Sequence, residues 1–131
     1  MSRPFRFLPL LAALCLAGCI TSRDPVPTGE STLVLSSDAP RATLATKLGH
    51  RITLTLPAPR AAEHAWQIAW HDHRYLRPLG TLAPGGDTTG PVLAFLALRP
   101  GNTRLRFALL PVKEAREATP ADLQEVVLRI E

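Results

Sequence analysis

From Ser31 to the end of the chain, apolar and polar residues alternate mainly with the period of two that is typical of strands. In the stretch HRITLTLP, Ile52, Leu54 and Leu56 alternate with arginine and threonine residues. This pattern predicts a strand with one face in the core and the other in water. Five further alternating or apolar stretches also predict strands: STLVLSS (31–37), AWQIAW (65–70), PVLAFLAL (91–98), NTRLRFALL (102–110) and EVVLRIE (125–131).

Turn-forming sequences separate these stretches: LGH (48–50), PAP (57–59), PGGD (84–87) and RPGN (99–102). Proline and glycine favour the backbone angles that tight turns require. Short strands at a spacing of roughly 8–12 residues with such turns predict an all-β domain, an antiparallel β-sandwich of about seven short strands. We also expect Trp66, Ile68 and Trp70 to share one face of their strand, with both tryptophans packed in the core.

The N-terminal residues have the pattern of a secretory signal. Arg3 and Arg6 precede an apolar run from Phe7 to Gly18. This run is too short to cross a bilayer as a helix, because that requires about 20 apolar residues. It ends in Leu-Ala-Gly-Cys, which resembles a bacterial lipobox. In proteins with that signal the chain is cut before the cysteine, whose thiol carries a diacylglyceryl group, so the resemblance predicts lipidation at Cys19.

The predicted cleavage divides the chain into a signal peptide (1–18), a lipid-anchored tether rich in proline and polar residues (19–31) and a single domain (32–131). Stable attachment to a membrane takes more than one acyl chain, and a lipoprotein cysteine supplies them. Ile20 follows the cysteine, where an aspartate often signals retention in the inner membrane of Gram-negative bacteria. We therefore expect the protein at the outer membrane, facing the periplasm.

Removal of the signal peptide changes both the thiol content and the charge. Cys15 lies in the discarded segment and Cys19 carries the lipid, so the mature chain has no thiol for a nucleophile, a disulfide or a thiolate zinc site. The formal net charge falls from +4 to about +2, because 13 basic residues then face 11 acidic ones. The basic residues are scattered and aromatic residues are few, so no nucleic-acid partner is expected.

Several motifs of the domain occur together in a known family. KLGHRITLTL places a glycine before a core strand, Trp66 follows the next loop, FLALRPGNTRLRF has the pattern Phe-x-Ala-x-x-Pro-Gly, and EVVLRI closes the chain. From about Leu44 to Ile130, these motifs and their order resemble the chagasin-like inhibitors of papain-type cysteine peptidases. The resemblance implies an immunoglobulin-like fold and a non-enzymatic protein that binds a peptidase.

The inhibitory residues of that family are largely replaced in this chain. Its members inhibit through three loops that carry Asn-Pro-Thr-Thr-Gly, a glycine-rich sequence and Arg-Pro-Trp. Here PAPRAAEHAW (57–66) contains no Asn-Pro-Thr-Thr-Gly, PGGDTTG (84–90) keeps the glycines, and Leu110 and Val112 flank Pro111 in place of arginine and tryptophan. By position in these loops, the resemblance implies the following contact residues: Pro59, Arg60, Glu63, His64, Gly85, Gly86, Thr88, Thr89, Pro111 and Lys113.

Two histidines form a weak candidate for a metal site. His71 and His73 are two residues apart, and they share a face if the strand continues through both. A stable zinc or copper site usually needs three or four ligands, and the candidates for a third are Asp72, His64 and His50. We expect a polar strand end that enters a turn, with no metal and no cofactor.

No arrangement of nucleophile, base and acid indicates an enzyme. Ser36 and Ser37 lie outside any Gly-x-Ser-x-Gly motif, and no lysine follows the glycine-rich sequence as it would in a phosphate-binding loop. Arg104 and Arg106 alternate outward on one strand, with Arg129 on the next. We expect a solvated strand face there rather than an anion site.

The sequence therefore predicts an outer-membrane lipoprotein with a chagasin-like domain that binds a protein partner. In its most specific form, the hypothesis is inhibition of a cysteine peptidase by loops that have diverged. The alternative hypothesis is a structural or assembly lipoprotein of the cell envelope without inhibitory activity.

Overall fold

The computed structural model describes residues 26–86, 88–113 and 118–131. In chain order the strands are β1 (Gly29–Val34), β2 (Arg41–Thr46), β3 (His50–Thr55), β4 (His64–His71), β5 (Leu76–Ala83), β6 (Val92–Ala97), β7 (Gly101–Pro111) and β8 (Asp122–Ile130). Over these ranges the chain forms no helix that is long and apolar enough to span a membrane. The predicted signal peptide and Cys19 lie outside the described residues. Strand β1 includes the last three residues of the segment predicted as tether.

The strands form two four-stranded sheets. Sheet A has the strand order β1-β3-β6-β5, and sheet B has the order β2-β8-β7-β4. The all-β, immunoglobulin-like sandwich predicted from the sequence is confirmed. The sheets are mixed rather than purely antiparallel, since β1 pairs with β3 and β2 pairs with β8 in parallel. Strands β1 and β3 run in the same direction because the intervening β2 returns through the other sheet.

The core lies between the two sheets and follows the predicted alternation. Ile52 and Leu54 of β3, Phe95 of β6, and Phe107 and Leu128 from sheet B are completely buried. The rings of Phe95 and Phe107 meet edge to face, with centroids 6.2 Å apart and planes inclined by 62°. Burial of each large apolar side chain contributes about 1.5–3 kcal/mol, so this ring pair joins sheet A to sheet B strongly.

Two strands lack the sequence pattern that identified the others. Strand β2, RATLAT, has Leu44 as its only large apolar residue. Strand β5, LRPLGTLA, contains Pro78 and Gly80, which normally weaken a strand. It lies at the edge of sheet A, and its register with β6 shifts after Pro78 and again after Thr81. An edge strand tolerates proline because its outward N–H groups need no partner strand.

A bulge in β4 changes which side chains face the core. Ile68 pairs with Phe107, but Trp70 pairs with Arg106, which means that one extra residue separates the two positions. Such a bulge turns the following residue to the other face of the sheet. The expectation that Trp70 packs in the core is therefore wrong, since this side chain is 49% exposed. Trp66, before the bulge, packs against the core as expected.

Candidate functional site

The strand directions place four connections at one end of the sandwich, which we call the loop pole; its described residues are 35–40, 56–63, 84–86, 88–91, 112–113 and 118–121. The opposite end, the N-terminal pole, contains connections 47–49, 72–75 and 98–100. The first described residues lie there too, because the Thr28 N–H donates to the Gly49 carbonyl at 3.0 Å. The three loops that the family resemblance singled out are therefore at the same pole.

The β3–β4 loop and the glycine-rich β5–β6 loop are in direct backbone contact. The Leu56 N–H donates to the Pro91 carbonyl at 3.0 Å. A Cβ atom built on Gly90 would overlap the Leu56 carbonyl group and would lie 2.6 Å from the Pro57 carbonyl oxygen. Gly85 has a φ of +79°, and a Cβ atom built on it would lie 2.7 Å from the carbonyl carbon of Gly90. Glycine at position 90 is therefore required for the two loops to meet, and glycine at position 85 is required for the turn within the β5–β6 loop.

A second backbone contact joins the β3–β4 loop to the β7–β8 loop. The Val112 N–H donates to the Glu63 carbonyl at 2.8 Å. Glu63 has a φ of 60°, a left-handed conformation that costs about 1–2 kcal/mol for a residue with a side chain. Below it, the Trp66 indole N–H donates to the Pro57 carbonyl at 2.8 Å. These bonds fix the backbone of the loop pole and present Val112, which is 65% exposed.

A groove of about 460 Å³ opens between the β3–β4 loop and the glycine-rich loop. Its lining also includes Trp66, Pro91 and Leu93. The sequence assigned Pro91 and Leu93 only to a strand, because no local pattern marks a strand residue as part of a groove. The groove is lined by six of the ten predicted contact residues: Pro59, Glu63, His64, Gly85, Gly86 and Thr89. This part of the loop pole is concave and combines apolar, carboxylate, imidazole and hydroxyl groups.

The other four predicted contact residues do not line the groove. The Arg60 guanidinium donates to the Ser37 hydroxyl at 2.7 Å and lies 3.5 Å from the Asp38 carboxylate. Arg60 therefore links the β1–β2 loop to the β3–β4 loop. The contact joins positions 23 residues apart, and no local sequence pattern predicts it. The remaining three residues lie at the loop pole outside the groove: Thr88, Pro111 and Lys113.

The structure does not assemble the histidines into a metal site. Strand β4 ends at His71, and His73 lies in the following turn, so the pair does not continue along one strand face. The Asp72 carboxylate accepts hydrogen bonds from the Arg74 side chain at 3.0 and 2.8 Å. His64 begins β4, at the opposite pole. Across the ranges that the structure describes, no three His, Cys, Asp or Glu side chains are grouped to hold a metal ion.

The Asp72–Arg74 pair makes stability depend on pH in the acid range. Hydrogen bonds from the Arg74 side chain and backbone lower the pKa of Asp72 from 3.8 to about 2. Because the folded pKa is depressed, the contribution of the pair is complete above about pH 4 and is lost as the pH falls through about 2. We expect thermal unfolding of Asp72→Asn to depend less on pH between these limits than unfolding of the unchanged protein.

Replacement of the partner provides the control. Arg74→Gln removes the side-chain bonds and leaves the backbone N–H bond from residue 74 to Asp72, so its pH dependence should be intermediate. Identical pH slopes for Asp72→Asn and the unchanged protein would contradict the assignment.

Comparison with known proteins identifies the fold. No protein-family model matches the chain, and no curated protein matches it. Among solved structures, the cysteine protease inhibitor EhICP2 from Entamoeba histolytica has a TM-score of 0.61 and 14% sequence identity, over 80% of this chain and 99% of that chain. PbICP-C, solved in complex with falcipain-2, has a TM-score of 0.52 and 9% identity, over 76% of this chain and 98% of that chain.

These similarities establish that the domain has the chagasin-like fold, as its motifs predict. At 14% and 9% identity they establish the fold alone, because a fold supports different functions through different surface residues. EhICP2 is a cysteine protease inhibitor.

Proposed function

We propose that the domain binds a papain-type cysteine peptidase through its loop pole, while acylated Cys19 holds it at the outer membrane in the periplasm. The observation that carries the proposal is the meeting of the three loop segments at one pole. The hydrogen bonds from Val112 to Glu63 and from Leu56 to Pro91 hold these segments together. A contact surface with fixed loops loses less conformational entropy when a partner binds.

The point at which the described chain enters the sandwich is compatible with an anchored domain whose loop pole is free. The described chain enters the sandwich at the N-terminal pole, where Gly29 of β1 pairs with His50 of β3. A strand of six residues such as β3 extends about 20 Å. In this proposal the anchored segment joins the sandwich at the N-terminal pole and leaves the loop pole, at the other end of the strands, available to a partner.

The residues of the loop pole favour a modest affinity for such a peptidase. The β3–β4 loop carries Arg60 and Glu63 in place of an uncharged wedge, and desolvation of charge in a narrow cleft is costly. The Trp and Arg side chains that commonly dominate interface energies are absent beside Pro111. The concave groove beside the wedge position offers a compensating contact for a projecting side chain of the partner.

The direct test is inhibition of papain-type peptidases by the soluble domain, residues 26–131. We expect hydrolysis of a fluorogenic peptide to fall with an inhibition constant on the order of micromolar. His64→Ala and Thr89→Ala in the groove should weaken inhibition, whereas Arg99→Ala at the N-terminal pole should not. No inhibition of several such peptidases at about 10 µM protein would remove the peptidase as the partner.

Restoring one family anchor should strengthen the inhibition. Val112 is 65% exposed beside Pro111, at the position where the family carries tryptophan. Because loss of a tryptophan anchor commonly costs about 2 kcal/mol or more, Val112→Trp should lower the inhibition constant at least tenfold, roughly. Leu48→Trp is the matched control, since Leu48 is 47% exposed at the N-terminal pole. Equal effects of the two substitutions would show non-specific adhesion of tryptophan.

The alternative is a structural or assembly lipoprotein of the envelope whose loop pole binds another envelope protein. The replaced wedge and the missing Arg-Pro-Trp favour it, since both concern the residues that contact a peptidase. A photo-crosslinking amino acid at exposed Thr88, incorporated in cells, would distinguish the two partners. Crosslinking to a peptidase supports the first function, and crosslinking to a resident envelope protein supports the second.

A further inference from the structure

The outer face of sheet B carries a row of side chains that crosses all four strands. Trp70 of β4 pairs with Arg106 of β7, Arg106 pairs with Glu125 of β8, and Arg41 of β2 pairs with Glu125 on its other side. Neighbouring strands are about 4.8 Å apart, so the row is roughly 14 Å wide. It lies on the face turned away from the core, where the bulge in β4 places Trp70.

Three arginines of this face share one carboxylate. Glu125 lies 3.5 Å from the Arg41 guanidinium and 3.8 Å from the guanidinium groups of Arg104 and Arg106. The carboxylate side chain is 18% exposed, whereas the arginine side chains are 53–67% exposed. One negative charge and three positive charges leave a net charge of about +2 at this surface. A strand face on which acidic and basic side chains are evenly mixed would have a net charge close to zero.

The arginines also retain donor capacity. Their distances to Glu125 are longer than the hydrogen bonds expected for a charged pair, and Glu125 Oε1 has no hydrogen-bond partner among the described residues. A guanidinium has five N–H donors in a planar fork that matches a carboxylate. Further carboxylates can therefore bind to these arginines without displacing Glu125.

Apolar side chains flank the charged row. Trp70 is 49% exposed at one end, and Leu123 is 57% exposed beside a depression of about 320 Å³ that Pro40, Arg41, Arg106 and Glu125 also line. Arginine together with exposed aromatic side chains is the composition enriched at the centres of protein interfaces, and Leu123 adds apolar area beside them. A free phosphate would use the charge of this face and leave its apolar area in water.

We propose that the outer face of sheet B is a second binding surface, which shares no residue with the groove of the loop pole, for an acidic segment of a protein partner. Carboxylates of that segment bind Arg41, Arg104 and Arg106, and its apolar side chains pack on Trp70 and Leu123. Arg106 lies midway along β7, so the centre of this surface stays accessible when a partner occupies the groove between the β3–β4 and β5–β6 loops. The sequence predicted a solvated face here because Arg41, Glu125 and Trp70 are distant in the chain from Arg104 and Arg106.

Fluorescence anisotropy of a labelled peptide of Glu-Glu-Leu repeats tests the proposal on the soluble domain, residues 26–131. We expect the peptide to bind and its Gln-Gln-Leu counterpart not to bind. Arg106→Gln and Trp70→Ala should each weaken binding about tenfold. Arg51→Gln is the matched control, since Arg51 is an ion-paired arginine of the opposite sheet, and it should change the affinity less than about twofold.

Four results would each overturn the proposal. Equal binding of the two peptides would remove the role of charge, and an equal effect of Arg51→Gln would show general attraction to a basic protein. Competition by inorganic phosphate, with Trp70→Ala having no effect, would identify a simple anion site. Binding to phosphatidylglycerol vesicles that Arg106→Gln abolishes, without peptide binding, would identify a lipid surface. Circular dichroism confirms that each variant is folded, and Arg104→Gln replaces Arg106→Gln if the latter is not.

Discussion

Replacing Gly90 by alanine will destabilise the domain and separate two loops of the candidate site. The new Cβ atom would overlap the Leu56 carbonyl group and lie 2.6 Å from the Pro57 carbonyl oxygen. These neighbours are backbone atoms, so a rotamer change cannot relieve the overlap, and the Leu56–Pro91 hydrogen bond of 3.0 Å must lengthen or break. Forcing atoms into a packed region typically costs about 1–3 kcal/mol, and we expect the upper end of that range.

Gly86→Ala, four residues earlier in the same loop, is the matched control. A Cβ atom at Gly86 has the Thr89 hydroxyl as its nearest neighbour, at 3.9 Å, which is an ordinary contact. Thermal unfolding should show a midpoint about 10 °C lower or more for Gly90→Ala and little change for Gly86→Ala. The folded fraction of Gly90→Ala should also bind any loop-pole partner more weakly. Equal stabilities of the two variants would mean that the loops are not in contact.

The sequence predicted the sandwich because its central strands carry complete local signals. The alternation around Ile52 and Leu54 in β3, and around Leu105 and Phe107 in β7, reflects burial of one face against the other sheet. Strand β6 is apolar on both faces, and residues 94–97 are buried. Such patterns depend on neighbours along the same strand, and a sequence therefore displays them directly.

The features that the sequence did not reveal depend on edges and on distant contacts. Strand β5 contains Pro78 and Gly80, whose local propensity is against strand formation. Because β5 lies at the edge of sheet A and pairs with β6 on one side only, the sheet tolerates both residues. The bulge that exposes Trp70 exists only in the pairing of β4 with β7. No periodicity encodes a shift of one residue between two strands, because the pattern of each strand alone is compatible with either face.

The candidate site was predictable as a set of loops but not as a shape. The glycine-rich sequence marked one loop, and the family resemblance identified all three. The shape of the groove, however, depends on two backbone hydrogen bonds between different loops, from Val112 to Glu63 and from Leu56 to Pro91. The left-handed Glu63 has no sequence signal at all, since glycine or asparagine is the usual residue in that conformation. The site therefore contains a concave groove beside the position of the family's projecting wedge, and its shape depends on contacts between residues that are distant in the sequence.

Phe107→Ala should produce the largest loss of stability of any substitution considered. Its side chain is completely buried and contacts Phe95 of the other sheet edge to face. Removing a buried phenylalanine ring costs about 3–5 kcal/mol through lost burial and the cavity left behind. A small domain has about 5–15 kcal/mol of stability in total, so urea unfolding should show a much lower midpoint. Leu82→Ala, at a side chain that is 50% exposed, is the control and should cost less than about 0.5 kcal/mol.

Comparison with Phe95→Ala and the double variant separates the ring contact from general burial. If the rings interact as the geometry indicates, the losses of unfolding free energy in the two single variants should add up to more than the loss in the double variant. The expected difference is about 0.5–1.5 kcal/mol. Because Phe107 lies in the core rather than among the loops, the folded fraction of Phe107→Ala should bind a loop-pole partner with unchanged affinity. Gly90→Ala should lower that affinity, so the two variants distinguish the scaffold from the site. Additive losses at Phe95 and Phe107 would contradict direct contact between the sheets at this ring pair.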